Sequence, residues 1–232
     1  MAQSEVAQAE VGQAPLERVS AATTLGDEWR FFRSHPNPRL IAGAWALVAV
    51  ARIALGGWRW WDLAIVGILI ALEPFVEWVI HVFILHWKPK ELFGKKRDPL
   101  LARKHRAHHK DPRKTEWIFV PRPALMRVIP ISALLYLLLI PDVRLATTTM
   151  LTALTILFVY EWTHYLIHSR YKPKSRLYRF IWRAHRLHHF KNEKYWFGVT
   201  MHAGDFVLGT FPDKDEVETS PTCKTLGVAE QV

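Results

Sequence analysis

Four long apolar segments constrain the fold of this chain more than any other feature. Each has about the length that crosses a hydrocarbon core as a helix, roughly 20 residues. A short link containing Trp58, Trp60 and Trp61 joins the first pair, and a turn at residues 141–143 joins the second. The sequence therefore predicts an all-α integral membrane protein whose four transmembrane helices form two hairpins. The segments are residues 40–57, 62–85, 123–140 and 146–168.

Positive charge collects on one side of these segments. Residues 88–122 contain twelve Lys or Arg and residues 170–194 contain nine, whereas the two hairpin turns offer only Arg59 and Arg144. The positive-inside rule places the middle loop, the region after the fourth segment and both termini in the cytoplasm. Arg52, near the end of the first segment, is expected to snorkel outward. Much of the net charge of +10 then faces anionic lipid, so no nucleic-acid partner is expected.

The two ends of the chain differ from its centre in composition. Residues 1–37 predict a disordered tail and a pre-membrane segment without a secretory signal, because they bury too little apolar surface. Residues 38–212 predict one integral membrane domain with a cytoplasmic helical cap, and residues 213–232 a polar, disordered tail. The single cysteine, Cys223, excludes an internal disulfide.

Ten of the twelve histidines fall into four compact groups, all on the side expected to be cytoplasmic. The spacing of four between His164 and His168 places both rings on one helical face, where they can share a metal ion. If each His-x2-His-His segment is helical, its three rings lie close together at one end of the helix. His81 and His86, five apart, fit helical spacing less well, and either the helix loosens there or they bind different metals. The groups are His81 and His86; His105, His108 and His109; His164 and His168; His185, His188 and His189.

Ten rings suffice for about five ligands on each of two metal centres, whereas one structural zinc ion needs four. Imidazole binds iron, zinc, copper and nickel, so the ligands alone do not name the metal. Without a metal, so many histidines among Lys and Arg would be electrostatically unfavourable when protonated. His35 is expected to have only a surface or packing role, and the role of His202 stays open.

Three carboxylates are candidate hydrogen-bond acceptors for the outer ring N–H groups of these histidines. Glu77 lies one helical turn before His81, and Glu161 lies on the same face as His164. Asp205 is the third candidate, with a helix cap as its alternative role. For Glu73, such an acceptor and a hydrogen bond between helices are equally favoured.

The order of the four histidine groups resembles the integral-membrane fatty acid hydroxylase and sterol desaturase superfamily, and most of all its fatty acid 2-hydroxylase branch. The similarity covers about residues 38–212, including a closing segment from Phe197-Gly198 through Asp205 to Gly209-Thr210. The resemblance implies that the ten grouped histidines bind two iron ions, for which zinc can substitute during purification or crystallisation. It also implies an O2-dependent monooxygenase that hydroxylates an unactivated C–H bond of a membrane lipid acyl chain.

The resemblance also indicates partners and location. The N-terminal tail is too short for a cytochrome b5 domain, so electrons are expected from a separate donor such as cytochrome b5 or a ferredoxin and its reductase. The expected location is a bacterial inner membrane or the endoplasmic reticulum. Two alternatives stay open: a sterol or carotenoid hydroxylase or desaturase of the same superfamily, and a non-enzymatic, histidine-rich metal-binding membrane protein.

Overall fold

The computed structural model describes residues 24–228 and is mostly helical over that range. Its short two-stranded antiparallel hairpin pairs Lys90 with Arg97. The elements in chain order are α1 (Leu25–Ser34), α2 (Pro36–Leu55), α3 (Trp60–Val79), a π-helical segment (Ile80–Leu85), β1 (Lys90–Leu92), β2 (Lys95–Arg97), α4 (Leu100–Lys110), α5 (Thr115–Ile118), α6 (Arg122–Leu139), α7 (Val143–His168), α8 (Arg176–Phe190) and α9 (Ala203–Val207).

Within the described residues, four helical stretches are long and apolar enough to cross a membrane, which indicates a multi-pass membrane protein. They confirm the four predicted segments, with ends that differ by four residues or fewer except at the third, which begins eight residues earlier than predicted. Mean hydropathy is highest, at 2.1, in the stretch formed by α3 and the π-helical segment. The stretches are Pro36–Leu55, Trp60–Leu85, Thr115–Leu139 and Val143–His168.

Helix α7 lies at the centre of the bundle and packs against α2, α3 and α6. One core cluster, built around Ile41, Leu125 and Leu154, joins α2, α6 and α7. A second cluster, around Phe32 and Tyr165, fastens α1 to the far end of α7. Many other apolar side chains on these helices are exposed, which is typical of helices whose remaining faces contact lipid.

A polar cluster lies inside the bundle at the end where the hairpins turn. Arg52 is completely buried there and does not snorkel outward as expected. Its guanidinium donates to the hydroxyl of Thr148 at 2.8 Å, the carbonyl of Gly56 at 2.7 Å and the carboxylate of Asp62 at 2.8 Å. The hydroxyl of Thr148 also donates to Asp62, at 2.6 Å. The charge of Arg52 is therefore compensated inside the protein instead of at the interface.

Both described ends of the chain are more ordered than the sequence indicated. Helix α1 begins at Leu25 and buries Glu28 and Phe32 completely, because its aromatic face packs on α7. Near the other end, Cys223 and Leu226 are buried in a segment expected to be a disordered tail. The expectations for residues 1–23 and 229–232 lie outside the described residues.

Candidate metal centre

The ten histidines predicted as ligands form two groups of five. Within each group, one ring nitrogen from every residue lies within 4.8 Å of those of the other four. All ten rings are buried except that of His86, which is partly exposed. We call the two groups site A and site B. Site A comprises His81, His86, His105, His109 and His188, and site B comprises His108, His164, His168, His185 and His189.

The ring nitrogens of each site converge on a common point. In site A, Nε2 of His105 lies 3.1 Å from Nε2 of His81 and 3.1 Å from Nε2 of His109. The two sites adjoin, since the ring of His109 stacks on the site B ring of His189 with centroids 4.2 Å apart. This arrangement places two candidate metal positions side by side at one end of the helical bundle.

Each His-x2-His-His motif is divided between the two sites. Residues four apart on a helix share a face, so His105 and His109 of α4 both reach site A. The middle histidine, His108, projects from a different angle and reaches site B. The expectation of three rings at one metal-facing end was therefore too simple. Helix α8 divides its motif the opposite way: His185 and His189 in site B, His188 in site A.

The π-helical segment brings His81 and His86 to the same site. Within it, the amide of His86 donates to the carbonyl of His81 at 3.0 Å, a hydrogen bond that spans five residues. The wider turn places residues five apart on one face, which an α-helix does not do. The helix thus loosens as one of the two predicted solutions required, and both rings belong to site A.

Backbone carbonyls orient four of the rings. A carbonyl only accepts, so Nδ1 must carry the hydrogen in each of these contacts, and the lone pair of Nε2 faces the site. One acceptor is the last residue of α5 and the other three lie in loops, so segments outside the histidine-bearing helices help to determine the ring orientation. The contacts run from His81 to the oxygen of Phe197 (2.5 Å), His109 to Cys223 (2.8 Å), His164 to Ile118 (2.8 Å) and His188 to Tyr195 (2.8 Å).

Two of the predicted carboxylates hold the loop that carries one of these carbonyls. The amides of Phe197 and Gly198 donate to Asp205 at 2.9 and 2.7 Å. The next two amides along the chain donate to Glu77, at 2.9 and 3.2 Å. The two carboxylates therefore fix the position of the Phe197 carbonyl against His81. Sequence reasoning expected direct contacts to the rings, but the carboxylates act through the backbone.

The third candidate, Glu161, behaves in the same way. Its carboxylate accepts from the amide of Val120 at 3.1 Å and from the side chain of Asn37 at 3.4 Å. Val120 lies two residues beyond Ile118, whose carbonyl receives His164. Glu161 therefore holds the loop that orients His164. Sequence reasoning missed Asn37 and all four carbonyl acceptors, because every residue carries a carbonyl and no residue type signals this role.

The remaining polar side chains near the site have structural contacts. Glu73 accepts from the hydroxyl of Thr200 at 2.8 Å. The partner is thus a Thr side chain, but Thr200 lies in the loop before α9, so the bond is not one between two helices as the alternative expected. His202 is buried outside the two groups, and its Nδ1 lies 3.0 Å from Asp205. His35 accepts from the amide of Asn37 at the start of α2 and stacks on an aromatic ring, which confirms its expected packing role.

The environment keeps the histidine rings on α4 and α8 neutral. Burial, followed by repulsion from neighbouring histidines, lowers the pKa of His105, His108 and His185 well below the usual histidine range. Burial is also the main cause that lowers the pKa of His109 to about 3. Neutral imidazole is the form that binds metal ions.

Several buried ring nitrogens fit a metal site because the protein offers them no other partner. Among the residues that the structure describes, Nε2 of His86, His164 and His188 has no hydrogen-bond partner. A buried, unpaired polar atom costs about 1–3 kcal/mol, so a set of them on one surface is unfavourable unless a ligand satisfies it. An all-imidazole donor set accepts iron, zinc, copper or nickel.

The fold and the site together define a helical membrane protein with two histidine clusters that can each hold a metal ion. Residues 64–210, more than half of the chain, match the model of the fatty acid hydroxylase family. The chain belongs to this family, which confirms the resemblance inferred from the order of the histidine groups.

Individual relatives agree with this assignment. The chain is 29% identical over 155 residues to a dihydroceramide fatty acyl 2-hydroxylase of Arabidopsis thaliana, covering 63% of this chain and 62% of that protein. It is 30% identical over 156 residues to the fatty acid 2-hydroxylase of Homo sapiens, covering 64% and 40%. The matched region thus spans less than two thirds of either relative.

A solved structure shows the same fold. The hydroxylase domain of full-length Scs7p superposes with a TM-score of 0.62 at 21% sequence identity, over 78% of this chain and 68% of that one. The arrangement of the helices over this range is therefore shared with a solved hydroxylase domain.

Proposed function

We propose that this chain is a membrane di-iron oxygenase that hydroxylates an unactivated C–H bond of a lipid acyl chain, as a fatty acid 2-hydroxylase does. The observation that carries the proposal is the pair of adjoining five-histidine sites at one end of the membrane-spanning bundle. Five imidazoles leave one position free on an octahedral metal ion. In the proposed reaction, one atom of O2 is inserted into the C–H bond and the other leaves as water, with two electrons supplied by a separate donor and two protons taken up from solvent.

The donor set accepts iron, and the family favours iron over the other metals that imidazole binds. Iron bound at the two sites would supply the redox chemistry that activates O2. The protein contributes position: the carbonyls that accept from four Nδ1 atoms keep the corresponding Nε2 atoms directed inward. Preorganised ligands of this kind lower the cost of binding two cations in a buried space.

The location of the sites suits an acyl chain as substrate. His81 ends one apolar span, while His164 and His168 end another, so both sites border the hydrocarbon region. Tyr160 lies one turn deeper on α7 than His164, and their rings are 5.7 Å apart. An acyl chain can lie along the apolar helix faces while its polar end faces the cap. We place the cap in the cytoplasm because the basic loops flank it.

Burial of the rings supports the chemistry as well. Site B is buried at all five residues, so bulk water is excluded from the region where a C–H bond would be oxidised. An open, wet site would divert a strong oxidant to side reactions. The buried arrangement favours oxygenase chemistry over the alternative of a metal carrier, which needs an exchange path for its ion.

The test compares lipid extracts from cells that lack or express the chain. Mass spectrometry should detect acyl chains that carry one additional oxygen atom, and the purified protein should contain two iron ions per chain. Loss of two hydrogens would instead indicate desaturation, and an added oxygen on a sterol or carotenoid would indicate the other branch of the superfamily.

A double variant links the product to the sites. His108→Ala with His188→Ala removes one ring from each site and should abolish the product while the protein still inserts into the membrane. Phe93→Ala is the control, because this ring is 92% exposed, lies outside both sites and should leave the product in place. Full hydroxylation by the double variant would refute the proposed mechanism.

A further inference from the structure

The segment that follows the family-matched region returns to the metal centre. Residues 218–228, which we call the C-terminal strap, are largely polar in sequence. Two of their side chains are nevertheless buried, with Cys223 7% exposed and Leu226 4% exposed. Such burial near the end of a polar segment indicates that the strap packs against the rest of the protein.

Hydrogen bonds fasten the strap to the loop directly after α8, residues 191–193. They involve both backbone and side-chain groups, so the strap has a defined register on that loop. The contacts are the amide of Ser220 to the carbonyl of Lys191 (2.8 Å), the side chain of Asn192 to the carbonyl of Glu218 (3.2 Å) and the hydroxyl of Thr222 to the carboxylate of Glu193 (2.5 Å).

Glu193 is a strong acceptor in this arrangement. Burial alone would raise the pKa of the Glu193 carboxyl, but hydrogen bonds from Thr222 and Ser220 more than offset it, and the pKa lies below its ordinary value. The carboxylate is thus ionised at neutral pH. A hydrogen bond from a hydroxyl to an ionised carboxylate is shorter and stronger than one between neutral groups.

The fastened strap presents one carbonyl to site A. The oxygen of Cys223 lies 2.8 Å from Nδ1 of His109, across 114 positions of sequence. Of the four carbonyls that orient ligand rings, those of Ile118, Tyr195 and Phe197 belong to the region that matches the family, residues 64–210. The carbonyl of Cys223 lies beyond it.

We propose that the C-terminal strap is a working part of site A, in which Glu193 and Thr222 are positioning residues that hold the Cys223 carbonyl against His109. This inference rests on the proposed metal centre and specifies how one of its two sites is completed. Without the strap, Nδ1 of His109 loses its acceptor and the ring is free to rotate or change tautomer. Loss of such an outer hydrogen bond weakens metal binding about 10–100-fold.

The experiment measures ion retention, with Zn²⁺ as a redox-silent probe. Full-length protein in lipid nanodiscs is loaded with Zn²⁺, challenged with a graded chelator, and analysed for ions per chain. The test variants are a stop after residue 217, which removes the strap, and Thr222→Val, which removes the hydroxyl donor. The controls are a stop after residue 228, Thr222→Ser, which restores the hydroxyl, and Thr219→Val, the same change at an exposed position of the strap.

The expected result is selective loss of one ion. Both test variants should release one of the two ions at chelator concentrations about 10–100-fold lower than the wild type does, while the second ion is retained. The three controls should follow the wild type. Thermal unfolding of the Thr222→Val variant in the same nanodiscs verifies that it is folded.

Other outcomes separate the two proposals. Retention of both ions by Thr222→Val and by the strap deletion would overturn the inference and leave the metal centre intact. Parallel loss of both ions would also overturn it, because the strap would then support the fold in general and not site A. A wild-type protein that binds no ion would overturn the proposed metal centre itself.

Discussion

The two ends of the helical bundle bury polar groups in opposite ways. At the hairpin end, Arg52, Asp62 and Thr148 satisfy one another through short hydrogen bonds. At the histidine end, buried Nε2 atoms such as those of His86 and His164 have no partner in the described part of the chain. The polar groups of the hairpin-end cluster thus pair with one another, whereas these ring nitrogens of the histidine cluster face the two candidate metal sites.

This difference distinguishes a structural cluster from a functional one. Polar groups in a membrane-embedded bundle are costly, so each set must be satisfied by something. The hairpin-end cluster needs nothing from outside and serves to lock α2, α3 and α7 together. The histidine cluster needs a ligand that many imidazoles can share, and a metal ion is a ligand of that kind.

The largest effect is expected from removing a ligand at the histidine end. His168 lies 3.2 Å from His108 and 3.1 Å from His185, measured between Nε2 atoms. His168→Ala should therefore abolish detectable hydroxylation and reduce the metal content of the purified protein from two ions to one. Mass spectrometry of lipids and elemental analysis measure the two effects. A variant with full metal content and full activity would show that site B is not a metal site.

Substitutions in the hairpin-end cluster should lower the stability of the protein and leave its metal content unchanged. Arg52→Ala leaves Asp62 buried without its counter-charge and should cost about 3–5 kcal/mol of unfolding free energy. Thermal unfolding in detergent, with metal content measured on the folded fraction, tests both parts of this expectation. The double variant Arg52→Leu with Asp62→Leu should recover most of the loss, because no unpaired charge remains. If the Arg52→Ala variant is as stable to thermal unfolding as the wild type, the cluster does not hold the three helices together.

A smaller effect is expected where a carboxylate acts on a ligand through the backbone. Asp205→Asn replaces an acceptor-only group that receives the amides of Phe197 and Gly198. The Phe197 carbonyl should then move relative to His81, with about 10–100-fold weaker metal binding at site A. Chelator titration measures this change. Asp215→Asn, at a side chain that is 80% exposed, is the control and should leave the titration unchanged.

The smallest effect concerns a third buried polar group, Glu28 of α1. Burial, partly offset by hydrogen bonds from Tyr165 and Ser169, raises the pKa of Glu28 above its ordinary value. Because the folded protein holds this proton more tightly than the unfolded chain, stability from this group is greatest in acid and is lost as pH rises through the raised pKa. Glu28→Gln removes that loss.

The stability of Glu28→Gln relative to the wild type should accordingly increase from about pH 5 to about pH 8, by about 1 kcal/mol or less. Thermal unfolding at the two pH values measures the difference. A relative stability that falls toward alkaline pH would mean that Glu28 is ionised in the folded protein and that the charge is compensated.

Local properties of the sequence determined the membrane segments and the candidate ligands of this protein. An apolar run of sufficient length must either cross the membrane or be buried in the protein, whatever its neighbours are. The four membrane segments could therefore be predicted from composition and length. The ten histidines were also evident, because their spacing within each group is a local feature. The order of the groups was sufficient to indicate the family.

Only the tertiary structure decided the partners of the polar groups. Sequence reasoning expected Arg52 to reach the membrane surface, yet Asp62 and Thr148, from other helices, hold it inside. It expected carboxylates on the rings and a disordered C-terminal tail, yet loop carbonyls, including that of Cys223, meet the rings. A hydrogen bond depends on which segments meet in space, and every residue carries the same backbone carbonyl. Periodicity and composition therefore identify the candidate ligands, whereas only the folded chain determines what orients them.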